Sequence, residues 1–166
     1  WDLPQGDRIT LAADQYRGGV GVAYQPTATV PASRLLSPAG SFQGAFVLGR
    51  WQRALSLRSD VTLQMYHESF TRDEYSRIED RTTDVELQHR THLGDAHDLV
   101  WGMNWRHRVD ASTSSRFDVF APATTDQSMF SVYGQNETRL LQGRLRLIVG
   151  ARIEHSYWNR WELQPT

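Results

Sequence analysis

Polar and apolar residues alternate with period two along most of this chain. In the stretch Leu145–His155, Leu145, Leu147, Val149, Ala151 and Ile153 fall on one side of an extended backbone, while Arg146, Arg152 and Glu154, with Arg144 just before them, fall on the other. A helix would scatter these residues around its circumference, so the spacing predicts a strand with one apolar face. The same alternation recurs in residues 44–55, where Ala45, Val47, Gly49 and Trp51 oppose Arg50 and Gln52. From Val61, the residues Val61, Leu63 and Met65 oppose Thr62, Gln64 and Tyr66. Further on, Thr83, Val85 and Leu87 oppose Asp84, Glu86, Gln88 and Arg90. Leu99, Trp101, Met103 and Trp105 then oppose Gly102, Asn104, Arg106 and Arg108, and Phe130, Val132 and Gly134 oppose Tyr133, Gln135 and Glu137.

Turn-forming composition separates these runs. Residues 8–16 read as a first strand, and residues 18–40, rich in Gly and Pro, as a long loop with a short strand near 20–24. Residues 56–60, 93–96 and 141–143 read as tight reversals, and 71–80 and 111–127 as longer exposed connections. Residues 159–166 hold the start of another strand. The six prolines (4, 26, 31, 38, 122 and 165) lie in turns, loops or the final stub, as ladder hydrogen bonding requires. The expected fold class is all-β, with roughly seven antiparallel up-and-down strands and no helix of convincing length.

Composition narrows the setting. At 166 residues the length suits one domain, and the formal charge of −1 argues against a nucleic-acid partner. All 18 basic residues are arginine, which we read as compositional bias. Without cysteine there is neither a disulfide nor a thiolate metal site. No run reaches the ~18 apolar residues of a membrane helix, but a barrel strand spends only alternate residues on lipid. The first residues, Trp1-Asp2-Leu3-Pro4, carry no signal-like core, and both ends look like cuts within a longer protein.

The apolar face meets either lipid or a protein core. Tight turns alternating with longer connections, joining strands that carry many charges on one face, is the pattern of an outer-membrane barrel wall. Arginine at the bilayer midplane costs about 2–4 kcal/mol, so Arg146 and Arg152 must face water or partner charges. Trp51, Trp101, Trp105 and Tyr157 are placed on the apolar faces, several toward strand ends, which suits a membrane-interface aromatic girdle. The alternatives are a soluble β-sandwich binding module, with the same aromatics in its core, and a small stand-alone outer-membrane barrel.

Four fragments in order carry a more specific likeness. They are Leu48-Gly49-Arg50-Trp51-Gln52-Arg53; Thr83-Asp84-Val85-Glu86-Leu87-Gln88-His89; His97-Asp98-Leu99-Val100-Trp101-Gly102-Met103-Asn104-Trp105-Arg106; and Leu147-Ile148-Val149-Gly150-Ala151-Arg152-Ile153-Glu154-His155, followed by Trp161-Glu162-Leu163-Gln164-Pro165. Together they resemble consecutive barrel strands of TonB-dependent outer-membrane receptors, over about residues 41–166. The resemblance implies a barrel of about 22 strands, closed by a plug, that takes up iron–siderophore complexes, cobalamin or haem with energy delivered by TonB. It implies that residues 1–166 are one segment of the barrel domain, without the plug or the TonB-contacting region. It also implies a bacterial outer-membrane location, a lipid bilayer as partner, and a small nutrient chelate as ligand of the whole receptor.

Candidate chemistry is sparse. His89 and His92 differ by an odd number and so point to opposite faces of a strand, which leaves no regular strand geometry for a shared metal. Asp84 and Glu86 share a face, as do Arg152 and Glu154, but a polar lumen wall carries such charges routinely. Gly18-Gly19-Val20-Gly21 precedes no helix and is not a phosphate loop. No catalytic residue, metal ligand set or cofactor is expected. The residues expected to line a lumen are Arg50, Asp84, Glu86, Arg90, Arg106, Glu137, Arg152 and Glu154.

Overall fold

The computed structural model describes residues 1–3, 6–21, 39–74, 76–114, 119–157 and 160–166. Nine strands form a single antiparallel sheet in which each strand pairs with its neighbours in sequence. They are β1 (Asp2–Leu3), β2 (Asp7–Gly21), β3 (Ala39–Ser56), β4 (Ser59–Asp73), β5 (Arg77–Leu93), β6 (His97–Thr113), β7 (Thr124–Leu140), β8 (Leu145–His155) and β9 (Glu162–Pro165). Seven long strands thus stand between two short edge strands. The single helical element among the described residues is one 3-10 turn, Leu141–Gly143.

One end of the sheet is closed tightly. Leu57 and Arg58 join β3 to β4, Gly94–Ala96 join β5 to β6, and the 3-10 turn with Arg144 joins β7 to β8. These turns use left-handed backbone at Gly94 (φ 64°) and Gly143 (φ 87°), where glycine carries no steric cost, but also at Leu141 (φ 51°) and Gln142 (φ 57°), where it does. At the other end, residues 74–76 join β4 to β5 and residues 114–123 join β6 to β7.

The strands run further than alternation predicted. The connection expected at 71–80 is a correction: β4 continues to Asp73 and β5 begins at Arg77. The 111–127 connection likewise contracts, because β6 ends at Thr113 and β7 starts at Thr124. Residues 18–21 of the expected long loop belong to β2, and 39–40 to β3; the short strand expected near 20–24 falls mostly in 22–38, outside the described residues. The physical reason is that these extensions are polar or glycine-rich, with only isolated apolar residues such as Val20 and Ile78, so hydropathy shows no sustained alternation there. Their ladders are supported by charge pairs along and across strands: Arg72 with Glu74 at 2.6 Å, Arg77 with Glu79 at 2.7 Å, and Arg108 with Asp80.

Register fixes the faces. Ile9, Trp51, Leu63, Leu87, Met103, Val132, Ile153 and Leu163 are successive cross-strand partners and so form one row across eight strands. Beside it runs Leu11, Gly49, Met65, Val85, Trp105 and Phe130. No described residue covers this face. No apolar side chain among the described residues is buried, and Leu11, Val47, Met65 and Val149 each keep half or more of their surface. The chain exposes 12295 Å², whereas a compact monomer of this mass exposes about 8,400 Å². One sheet with a bare apolar face is not a sandwich, in which two sheets bury such faces against each other.

The apolar band crosses the sheet obliquely. Register carries Gly49, within the apolar run of β3, to His155 at the far end of β8. The apolar run of β8 is instead centred on Val149, six residues nearer the tight turns. A drift of a little over one residue per strand, with about 3.3 Å per residue and 4.8 Å between strands, corresponds to strands tilted by roughly 40° to the band. That is the tilt of membrane barrel walls, about 35–45°.

Candidate functional site

The reverse face is polar and largely self-paired. Arg50, Gln64, Glu86, Asn104, Ser131 and Glu154 are consecutive partners across six strands. Asp84 lies opposite Arg106, Arg152 opposite Tyr133, Arg90 opposite Val100, and Glu137 opposite Asp98. All eight polar positions singled out from the sequence therefore share this one face. His89 and His92 lie on opposite faces, since His89 pairs with Trp101 and His92 with Asp98.

Charges on this face neutralise one another in short contacts. Arg90 grips Asp98 with two nitrogens at 3.1 and 2.5 Å, a bidentate fork that holds the carboxylate at the foot of β6. Arg106 Nε and Asn104 Nδ2 donate to the two oxygens of Asp84 at 2.8 and 2.9 Å. Arg152 meets Glu154 at 2.9 Å, Arg146 meets Glu137 at 3.6 Å, and Arg50 donates to Gln64 Oε1 at 2.9 Å through Nε. Asp84 and Asp98 are buried by these partners although, among the described residues, no second layer covers them.

Two buried side-chain donors among the described residues of this face have no partner. Ser131, 1 % exposed, has no hydrogen-bond partner for its hydroxyl, and the buried Nε of its diagonal neighbour Arg152 has none either. An unmatched buried polar group costs about 1–3 kcal/mol, so this spot is unfavourable as folded. Sequence reading passed over Ser131, because a serine on a polar face carries no signal before its neighbours are known.

Aromatic rings also sit on the polar face, toward the loop end. Tyr16, Gly44 and Phe70 form one row and Phe46 and Glu68 the next. Tyr16 meets Phe42 with ring centroids 6.4 Å apart, and Phe46 meets Tyr66 at 5.9 Å. Each ring of the first pair lies over a glycine: a Cβ on Gly44 would come within 2.4 Å of Tyr16, and one on Gly18 within 2.4 Å of Phe42. The signal missed was their phase, since Phe42 and Phe46 occupy the polar phase of β3.

The aromatics singled out on the apolar side are distributed along the band. Trp51 closes the apolar run of β3 on the tight-turn side, and its indole donates to Asp7 at 3.2 Å. Trp101 donates to His89 Nδ1 at 2.9 Å. Trp105 ends the β6 run on the loop side, stacked on His107 at 5.8 Å. Tyr157 follows the loop-side end of β8 and is exposed.

Among the described residues no group of three or more His, Asp or Glu could hold a metal ion, and none of the helical structure is long and apolar enough to cross a membrane. A linear, tilted, up-and-down sheet with a bare apolar band on one face and a paired-charge network on the other defines a wall of a membrane β-barrel. The comparison with protein families agrees: the chain matches the family described as TonB dependent receptor-like, beta-barrel, over residues 3–160, and it belongs to that family. Barrel domains of this family are bacterial outer-membrane proteins that serve transport rather than catalysis. No individual curated protein and no solved structure matches the chain.

Proposed function

We propose that this chain forms part of the wall of a receptor that takes up a scarce nutrient across the outer membrane, an iron–siderophore complex, cobalamin or haem being the expected classes. In this reading the polar face, with Arg50, Asp84, Glu86, Arg90, Arg106, Glu137, Arg152 and Glu154, lines the lumen. The apolar band meets lipid, and Trp51, Trp101, Trp105 and Tyr157 sit at headgroup level, where amphipathic rings are favoured. The observation that carries the reading is the division of one continuous sheet into a bare apolar face and a face whose charges are paired among themselves. Pairing suits a lumen because an arginine left without a partner beside lipid would cost about 2–4 kcal/mol.

The test is nutritional. A strain lacking the protein should lose growth on one of ferric chelate, haem or cobalamin when that is the sole source, and regain it when the gene is restored. Uptake should stop when a protonophore collapses the inner-membrane gradient. Unchanged growth on all three, with uptake insensitive to the protonophore, would dismiss the reading.

A further inference from the structure

The loop-side margin of the apolar band is marked twice. Hydropathy places it at Ala13 in β2, Ala45 in β3, Met65 in β4 and Val85 in β5, where the apolar run gives way to polar residues. Histidine marks the same level independently: His67, His107 and His155 each stand two residues beyond the apolar run of their strand and in its phase. His67 Nδ1 lies 2.9 Å from Thr83 Oγ1, and His107 Nε2 donates to Asp126 at 2.7 Å, so both rings are fixed at one nitrogen. An imidazole, apolar in body and polar at its tip, suits a lipid–water boundary.

Beyond this margin lies a cleft of about 600 Å³. Arg17, Ser41, Gln43, Thr71, Asp73 and Arg77 line it, and register puts all six in phase with the band; Gly18 and Phe42 contribute from the other phase. Arg17 is exposed and, among the described residues, is paired with no acid. Arg77 and Arg81 share Glu79, at 2.7 and 3.7 Å. With Asp73 opposite Arg77 in the ladder, three arginines stand against two acids, and the surplus charge falls at Arg17. An anionic occupant is therefore favoured, and a planar guanidinium matches the paired oxygens of a phosphate.

Height above the margin narrows the choice. At ~3.3 Å per residue and roughly 40° of tilt, the cleft runs from about 5 Å above the margin at Gln43, through about 10 Å at Arg17, to about 15 Å at Thr71. The headgroup layer of a leaflet is only about 5–7 Å deep. A simple phospholipid reaches the lower lip of the cleft, whereas a phosphorylated sugar headgroup stands tall enough to meet Arg17 and the amide and hydroxyl groups around it.

We infer that this cleft is a docking site for a phosphorylated glycolipid of the leaflet on the loop side, with its phosphate on Arg17, sugar oxygens on Gln43 and Thr71, and acyl chains along Ala13 and Val47 below. This rests on the apolar band meeting lipid, and it goes further by assigning one lipid class to one place on that band.

The test uses the full-length protein in detergent, with retained lipids counted by native mass spectrometry. Bis-phosphorylated lipid A should be held as one tight copy. Lipid A stripped of both phosphates, and phosphatidylglycerol, which has the phosphate without the sugars, should each be held about tenfold more weakly, the value of one hydrogen bond to a charged group. Arg17→Gln should weaken lipid A retention by the same factor, while Arg139→Gln, at the tight-turn end of β7, should leave it unchanged. Equal retention of the three lipids, or undiminished retention by Arg17→Gln, overturns the inference. A bimane label on Val47→Cys, in nanodiscs of brominated phosphatidylcholine, separates it from the lipid reading. Quenching there without a preference for lipid A rejects the site alone, whereas a label untouched by the bromines rejects the lipid-facing assignment itself.

Discussion

The ring of Tyr133 lies over Gly102, its direct partner across the β6–β7 ladder, so closely that a Cβ on Gly102 would stand 2.6 Å from the Tyr133 oxygen and 2.6 Å from the Leu87 carbonyl. The glycine is the space that lets one side chain from β7 cross β6 and reach Glu86 and Gln88 on β5. Three strands are thereby tied by one residue.

Gly102→Ala should therefore destabilise the sheet by at least the roughly 1–3 kcal/mol of an overpacked site. Displacing the ring also breaks the Tyr133 hydroxyl bonds, so Tyr133→Phe should show a smaller part of the same loss. Guanidinium unfolding in lipid vesicles gives both values, and Gly102→Ala with an unchanged midpoint would mean that the ring moves aside at no cost.

Val149 and Arg146 sit three residues apart on opposite faces of β8. Val149→Arg should cost about 2–4 kcal/mol if its face meets lipid. Arg146→Gln, which gives up only an exposed pair with Glu137, should cost about 1 kcal/mol or less. Equal losses in vesicle unfolding experiments would remove the distinction between the faces.

Because its hydroxyl has no partner, Ser131→Ala should leave stability unchanged or raise it by up to about 1 kcal/mol, against the usual trend for core substitutions. A loss above 1 kcal/mol in the same unfolding assay would show that the hydroxyl is bonded after all.

At the β7–β8 turn, Gln142 holds a left-handed backbone that favours glycine. Gln142→Gly should stabilise by about 0.5–1 kcal/mol, the relief of strain less the added freedom of the unfolded chain. Gln142→Val should do the reverse, and a matching shift of the two unfolding midpoints would contradict the turn geometry.

Absence of cysteine makes the sidedness of the wall directly measurable. Single cysteines at Val119, between β6 and β7, should react with an impermeant maleimide on intact cells. Those at Leu57 and Asp95, in the tight turns, should react only after the outer membrane is opened. The opposite pattern would invert the wall.

What could be read from the residues alone was set by contrast between faces. Within the band, Leu145 to Ile153 or Leu99 to Trp105 alternate against arginine and asparagine, so both the strands and their phase were legible. Beyond it, residues 71–73 are polar on both sides and 77–80 carry only the lone apolar Ile78, and a strand there looks like a loop until its partners are known. Side-chain placement was legible only as phase. Asp84, Glu86 and Arg152 share a face by phase alone, but the burial of Ser131 and the Tyr133–Gly102 fit depend on what lies across the ladder. The tilt needed register as well, since no single strand reveals that the apolar run has shifted relative to its neighbour.

The length of the strands has one more consequence. Seventeen residues in β5, β6 and β7, tilted by roughly 40°, rise about 43 Å, while the apolar belt of such a wall is only about 25 Å tall. Most of the difference stands on the loop side, where Tyr16, Phe42 and Phe70 lie on the polar face. Among the described residues, that end of the wall is a stiff collar of hydrogen-bonded backbone, which is what the proposed nutrient would meet. Much of the ordering that capture would otherwise demand has already been done during folding.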